Sequence, residues 1–202
     1  VVEYLLKARD LGIKVNKEMI NRAKDFLEKN AYYDKQDGNN QPTINESNAA
    51  RKYGLTLLGS DQAKSLQVNI EELPPDLLAL SIMANIKQGD NNPDTNGLSR
   101  LLSIAKTQGD EVYWEAGRSK HFGSRDASTA LALRAILASG SNDDIAIKAS
   151  RYLLRQRKID YWSNTFGTAQ VVQAASDFVN NVNEFNPNYT YIVRLDGKEI
   201  AR

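Results

Sequence analysis

Few side chains in this 202-residue sequence have the types and spacing that catalysis requires. The single histidine, His121, lies in residues 115–124 (EAGRSKHFGS), between two segments that are predicted to be helices. A histidine acts as a general base when a nucleophile or a carboxylate is placed to use it. Neither a serine nor a set of metal ligands stands at a suggestive spacing from His121. We therefore expect a surface loop residue and predict no catalytic residue.

Two carboxylates near a tryptophan are the next candidates. Glu115 and Asp126 follow Trp114, and an α/α-barrel glycosidase would place acidic and aromatic residues at helix ends that face its centre. This pair is a weak match. Trp114 and Trp162 each begin a loop before an apolar helix, without interleaved basic residues. They are therefore predicted to anchor the core rather than to stack on a ligand.

A polar turn at residues 90–97 (DNNPDTNG) has the composition of a calcium loop. In an EF-hand frame with Gly97 sixth, the first ligand is Asn92 and the twelfth is Ser103. The bidentate glutamate of that frame is therefore missing, and a capped turn between helices is the better prediction. We predict no metal site and no cofactor.

The elements that would position a site are helices of two alternating kinds. Nearly all-apolar helices are predicted at residues 1–9, 49–58, 76–86, 127–138 and 168–179. Amphipathic helices are predicted at residues 17–29, 61–68, 97–106 and 143–155. A helix that is apolar on all sides is surrounded by protein, whereas one with a single apolar stripe lies on a surface. The alternation predicts an inner and an outer layer.

The ends of these helices carry stop and start signals. Four apolar helices end just before a glycine, namely Gly12, Gly59, Gly89 and Gly140. Ser141 with Asp144 resembles a capping box, and Pro75 suits a first helical turn. Residues 34–42 (DKQDGNNQP) are predicted to be an exposed loop.

The last two apolar helices match each other. Thr129-Ala130 recurs as Thr168-Ala169, and a tryptophan precedes each copy at a different distance. Residues 23–27 (AKDFL) and 149–153 (ASRYL) form a second match. Spacing is uneven, so a loose helical repeat is predicted.

The last part of the chain changes character. Residues 189–195 alternate like a strand, Asp196-Gly197 favours a hairpin turn, and residues 198–202 form the return strand. We therefore predict a helical domain at 1–180 and the start of a β domain at 181–202. A lone hairpin is marginal in water, so we expect it to pair with strands elsewhere.

Composition excludes several partners. The 26 basic and 25 acidic residues leave a net charge of +1, which predicts neither nucleic-acid binding nor attraction to an anionic membrane. No apolar run reaches the roughly 18 residues of a membrane span, so membrane insertion of this segment is not expected. Cysteine is absent, which excludes disulfides and thiol nucleophiles. Asn45 and Asn188 begin glycosylation sequons, a signal too short to carry a prediction.

Alternating inner and outer helices are typical of an α/α toroid, so the predicted fold class is all-α, a partial toroid with a C-terminal β-hairpin. Terpene cyclases, prenyltransferases, several glycosidases and complement-type thioester domains share this architecture, and the fold alone does not choose among them. No Asp-rich cyclase motif is present, and the zinc ligands of a prenyltransferase would include cysteine. A carbohydrate-active α/α-barrel enzyme and a helical-repeat interaction scaffold remain alternatives.

Three segments resemble one of these families. Residues 161–175 (YWSNTFGTAQVVQAA) resemble the closing helix of the α2-macroglobulin thioester domain, and residues 125–135 (RDASTALALRA) resemble its preceding inner helix. Residues 4–12 (YLLKARDLG), followed by Val15, resemble an inner helix of the bacterial branch. The resemblance covers about residues 1–180, and the order of the motifs along the chain is its strongest element.

The resemblance implies a non-enzymatic protease inhibitor that entraps proteases after bait cleavage. It also implies neighbouring β domains in the same chain and a periplasmic or secreted location, with lipid anchoring through an N-terminal segment left open. The family's thioester joins a cysteine to a glutamine in a Cys-x-Glu-Gln motif, and this chain has no cysteine. The pattern contains about nine helices against about twelve in a full barrel, so we expect a truncated toroid whose first helices lie before Val1. The thioester then lies upstream, or this member lacks it.

Overall fold

The computed structural model describes residues 2–30, 43–89, 95–117, 123–140, 143–181, 192–196 and 198–201. Within these ranges it contains nine α-helices: α1 (Val2–Asp10), α2 (Lys17–Lys29), α3 (Ile44–Leu57), α4 (Gln62–Ser65), α5 (Pro75–Lys87), α6 (Thr95–Ser103), α7 (Arg125–Ser139), α8 (Asp143–Arg155) and α9 (Thr165–Asn181). A one-turn 3-10 helix spans Ile70–Glu72. Two antiparallel hairpins pair β1 (Lys106–Gln108) with β2 (Glu111–Tyr113) and β3 (Val193–Leu195) with β4 (Lys198–Ala201). The predictions of a mostly helical chain and a C-terminal hairpin are confirmed.

The odd-numbered helices pack against one another in chain order. Helix α3 contacts α5, α5 contacts α7, and α7 contacts α9, while α1 contacts α3. Each even-numbered helix packs against an odd-numbered neighbour: α2 and α4 against α3, α6 against α5, and α8 against α7. We call the odd-numbered helices the inner layer.

Helix α7 lies at the centre of this packing. Every residue from Asp126 to Leu137 is buried. That pattern follows from its sequence, which is apolar or small on all sides and is therefore stable only when other helices surround it. Burial is lowest at the α1 end of the inner layer, where no residue of the helix is buried.

Side chains and glycines set the helix ends. Ser124 accepts a hydrogen bond from the backbone N–H of Ala127 at the start of α7, and Thr43 and Glu46 form a capping box at the start of α3. The predicted box at Ser141 lies outside the described residues. Gly12, Gly59, Gly89 and Gly140 all have a φ between 63° and 81°. In that region a side chain would be strained, so the four predicted stop signals are confirmed.

The helix predicted at residues 61–68 is wrong beyond Ser65. Residues 66–69 are not helical, and Leu66 and Asn69 have extended backbone, because side chains of α3 form hydrogen bonds with this segment. The side-chain amide of Asn45 donates to the carbonyl of Asn69 at 2.8 Å and accepts from its N–H at 2.7 Å. Asn45 thus pairs with this segment as a neighbouring strand would.

The helix predicted at residues 97–106 is also wrong at its end. Helix α6 stops at Ser103, and β1 begins three residues later. Gly109, with a φ of 60°, lies in the turn to β2. Strand β2 packs against α7 and α8, and its Val112 is buried. Burial of this short strand against helices overrides the helical pattern that precedes it.

Helix α2 does not bury its predicted apolar stripe. Met19 is 42% exposed and Phe26 is 59% exposed, although Leu27 lies against α3 at Gly54. On α8 the predicted stripe is Ile145, Ala149, Tyr152 and Leu153, of which the last three are buried and Ile145 is half-buried. Among the described residues, no helix has the length and apolar character needed to cross a bilayer.

Candidate functional site

Three inner-layer helices contribute to an ionic cluster around the buried Arg134 of α7. The Arg134 side chain is 5% exposed, and its Nε donates to Oδ2 of Asp177 on α9 at 2.9 Å. Its Nη1 donates to Glu3 on α1 and to Gln170 on α9, each at 3.3 Å, and its Nη2 also donates to Glu3. Lys7 Nζ lies 3.6 Å from Glu3 and 3.9 Å from Asp177. We call these five side chains the Arg134 cluster.

The Arg134 cluster favours the charged forms of Glu3 and Arg134. Burial alone would raise the pKa of Glu3, but the hydrogen bond and charge of Arg134, helped by Lys7, lower it below its ordinary value. Burial alone would lower the pKa of Arg134, but Glu3 and Asp177 raise it further above its ordinary value. Burial raises the pKa of Tyr53, on α3, well above that of a free tyrosine. These groups are therefore suited to joining helices rather than to exchanging protons near neutral pH.

A cavity of about 760 Å³ lies beside the Arg134 cluster. It is bounded by α1 and by the C-terminal parts of α3, α5, α7 and α9. Its apolar lining includes Leu6, Leu57, Met83, Ile86 and Leu137, and its charged lining includes members of the Arg134 cluster. The volume falls within the range of roughly 300–1,000 Å³ that is usual for small-molecule sites.

Trp114 connects the inner layer to the even-numbered helices, which we call the outer layer. Its side chain is fully buried, and its Nε1 donates to the carbonyl of Leu101 in α6 at 2.7 Å. Its backbone N–H donates to Oγ1 of Thr129 in α7 at 3.1 Å. One residue thus joins an outer helix to the inner helix that follows it.

Trp162 repeats this arrangement one helix pair later. Its Nε1 donates to the carbonyl of Leu153 in α8 at 2.7 Å, and its backbone N–H donates to Oγ1 of Thr168 in α9 at 3.0 Å. We call each set a Trp–Thr anchor. Thr129 and Thr168 are the two threonines that the internal sequence match aligns. The predicted repeat is therefore present in the hydrogen bonds as well as in the sequence. The prediction that both tryptophans are core residues is confirmed.

The two candidate carboxylates are used in structural contacts. Asp126 is 8% exposed, and its Oδ2 accepts from the N–H of Ser163 at 3.1 Å. Glu115 lies 3.2 Å from Nη2 of Arg125 on the surface. Trp114, which precedes both carboxylates in the sequence, has no exposed face on which a sugar could stack. These contacts do not favour the two-carboxylate cleft of a glycosidase.

Aromatic residues support the same region. The rings of Tyr113 and Tyr152 stack with their centroids 5.0 Å apart, and the Arg125 guanidinium lies 4.8 Å from the Tyr113 centroid. Burial, followed by the charge of Asp126, raises the pKa of Tyr152 to about 12. Tyr152 therefore stays neutral and holds α8 against β2.

Several sequence candidates lie outside the described residues, namely His121, residues 90–94 and Asn188. The EF-hand frame is excluded because α6 occupies residues 95–103, the last nine of its twelve positions. In the described ranges no group of three or more histidine, aspartate or glutamate side chains is arranged to hold a metal ion. The amide of the Asn45 sequon is engaged by Asn69.

The Arg134 cluster was missed at the sequence level. Its clearest signal was an arginine inside an otherwise apolar helix, since a buried guanidinium needs acidic partners. The partners themselves could not be found locally, because Glu3 and Arg134 are 131 residues apart.

Comparisons with known proteins do not assign this chain to a family. Neither a scan against protein-family models nor a search of curated proteins found a match. Its class is therefore defined by its own fold: a mostly helical chain with an inner layer, Trp–Thr anchors and an ionic cluster around a buried arginine.

Proposed function

We propose that this chain is the helical wall of a thioester-type α/α toroid in a bacterial α2-macroglobulin-like inhibitor that entraps proteases. The repeated Trp–Thr anchor is the observation that carries the proposal. The threonine of each anchor falls in a segment that resembles this family, Thr129 in residues 125–135 and Thr168 in residues 161–175. An anchor between an outer helix and the next inner helix is a device that a two-layer wall requires.

In this proposal the chain acts as a scaffold. Helix α7 is enclosed by α5, α8 and α9, so the wall is stiff at its centre. A stiff wall can shield a reactive group and dock on a neighbouring domain without deforming. The chain has no cysteine, so a cysteine–glutamine thioester cannot form within it. Any covalent capture of a protease belongs to another part of the full-length protein.

Protease entrapment by the full-length protein is the main test. We expect trypsin mixed with it to keep cleaving a small chromogenic peptide while losing activity on a large protein substrate. The reason is that entrapment limits access by size and leaves the protease active site free. Trypsin inactivated at its catalytic serine is the control, and it should not be captured because bait cleavage is required. Equal inhibition toward both substrates, or none, contradicts the proposal and favours an interaction scaffold.

The isolated chain provides a second test. It should neither inhibit trypsin nor gain mass when incubated with methylamine, as measured by intact-mass spectrometry. A covalent adduct would show that the chain itself carries acyl-transfer chemistry, and the scaffold role would then be wrong.

A further inference from the structure

Helix α1 is attached to the rest of the molecule differently from the other inner-layer helices. None of its residues is buried, and none belongs to the hydrophobic core formed by the described residues. Helix α7, by comparison, is buried along almost its whole length. The hydrophobic effect therefore contributes less to holding α1 in place than it does for α7.

Polar contacts do most of the holding. Glu3 and Lys7 on α1 meet Arg134 and Asp177, which belong to α7 and α9. The Glu3 side chain is only 12% exposed and that of Arg134 only 5%, so this ion pair is screened little by solvent. It holds a helix that has few other contacts.

Arg134 keeps partners when α1 is absent. Asp177 and Gln170, both on α9, continue to accept from its guanidinium at 2.9 and 3.3 Å. Release of α1 therefore does not leave an uncompensated buried charge, which would otherwise forbid the open state. Arg134 therefore has two sets of partners: Asp177 and Gln170 stay in place on α9, whereas Glu3 leaves with α1.

The connection from α1 to α2 is short and irregular. Gly12 has a φ of 81°, and residues 13–16 lie outside any regular helix or strand before α2 begins. Helix α1 also contacts α2, and its release removes that contact. Because the connection belongs to neither helix, α1 can move away while α2 stays helical.

We infer that α1 is a movable wall of the 760 Å³ cavity, which is already open to solvent, and that the Glu3–Arg134 ion pair is the latch that holds α1 in place. Release of α1 removes this wall, widens the opening and further exposes the apolar lining at Leu57, Met83 and Ile86. The device is built from α1 alone, since α3, α5, α7 and α9 pack against one another without it. This inference does not depend on the proposed function.

Thiol labelling tests the latch directly, because the natural chain has no cysteine. Met83→Cys places a reporter in the cavity, and Leu98→Cys places one at a site on α6 with matched exposure, 8% against 9%. Adding Glu3→Gln should raise the maleimide labelling rate at position 83 roughly tenfold, the factor that corresponds to about 1.4 kcal/mol of local opening. Labelling at position 98 should not change.

Glu18→Gln is the matched control variant, because Glu18 is the second residue of α2 as Glu3 is of α1. It should leave labelling at position 83 unchanged. An unchanged rate at position 83 in the Glu3→Gln background overturns the latch. Equal increases at positions 83 and 98 also overturn it, because they indicate loss of the whole fold.

Hydrogen exchange on the unmodified chain needs no variant. Amides of α1 should exchange by local opening, faster than those of α7 and with little dependence on urea below the unfolding transition. If α1 and α7 exchange with the same free energy and the same urea dependence, α1 leaves only on global unfolding and the movable wall does not exist.

Discussion

At the scale of single residues, threonine hydroxyls at two helix starts accept hydrogen bonds from buried backbone N–H groups. Thr129 and Thr168 each receive the N–H of a tryptophan whose side chain is already fixed to an outer helix. Valine has nearly the same shape as threonine, so the hydroxyl rather than packing makes threonine necessary. An N–H that loses its acceptor inside the protein retains the full cost of desolvation.

Thr129→Val tests the first Trp–Thr anchor. We expect it to lower the free energy of unfolding by about 1–3 kcal/mol, because it leaves the Trp114 N–H buried without an acceptor. Urea denaturation monitored by tryptophan fluorescence measures the change. The control is Thr107→Val on the exposed strand β1, which should stay within about 0.5 kcal/mol of the natural chain. Equal effects of the two substitutions would refute the anchor.

Tyr4→Phe tests the opposite situation. The Tyr4 hydroxyl is buried and has no hydrogen-bond partner among the described residues. Removing it should leave the free energy of unfolding unchanged or raise it by up to about 1 kcal/mol, since an unsatisfied polar group is lost. Thermal unfolding is a sufficient measurement, with Tyr161→Phe on the surface as the control. Clear destabilisation by Tyr4→Phe alone would mean that the hydroxyl has a partner.

At the scale of elements, α7 is the helix on which the others depend. It contacts α5, α8 and α9, and all its central residues are inaccessible to solvent. Its sequence contains many alanines, which allow neighbouring helices to approach closely. A substitution at such a position affects several interfaces at once.

Ala132→Asp measures this dependence. Ala132 is 0% exposed, and an aspartate there buries an unpaired charge, so we expect a loss of several kcal/mol, about 3–5, and aggregation or unfolding at 25 °C. Circular dichroism and melting temperature report the outcome. Ala50→Asp, at an exposed position of α3, should cost less than about 1 kcal/mol. An unchanged melting temperature for Ala132→Asp would show that α7 is not an inner helix.

The helices and their glycine ends could be predicted because their signals are local. Gly140 ends α7 within one residue of the expected position, and the α8 bounds agree completely. The end of α4 could not be predicted, since it depends on amides that α3 supplies from 24 residues away. Hairpin β1–β2 was missed for a similar reason, because its stability comes from α7 and α8. Local pattern thus predicts an element when that element's own residues stabilise it.

At the scale of the whole molecule, the Arg134 cluster joins residues from the beginning, middle and end of the helical region. Because this cluster joins α1 to α7 and α9, the stability of the folded chain depends on the ionisation of Glu3. The pKa of Glu3 is lowered in the folded chain, so Glu3 binds fewer protons there than in the unfolded chain. Its contribution is therefore present above the unfolded pKa and decreases as the pH falls through the folded pKa.

Comparing the natural chain with Glu3→Gln across pH tests this linkage. The difference in the free energy of unfolding should be constant above about pH 5.5 and should shrink as the pH falls below 4.5, the ordinary pKa of a glutamate. Urea denaturation at four pH values from neutral to strongly acidic provides the measurement. A difference that persists unchanged into strong acid, or increases there, would show that the Glu3 charge does not stabilise the fold.

The two Trp–Thr anchors keep the same hydrogen bonds although 15 residues separate tryptophan from threonine in one and 6 in the other. Loop-closure entropy explains why the longer connection is acceptable, because the change from 6 to 15 residues costs only about 0.8 kcal/mol. We therefore expect that foreign peptides grafted between Gly117 and Ser124, before the first turn of α7, leave both bonded ends in register. Evolution has the same freedom there, and new surface chemistry can arise at this point without redesign of the helices.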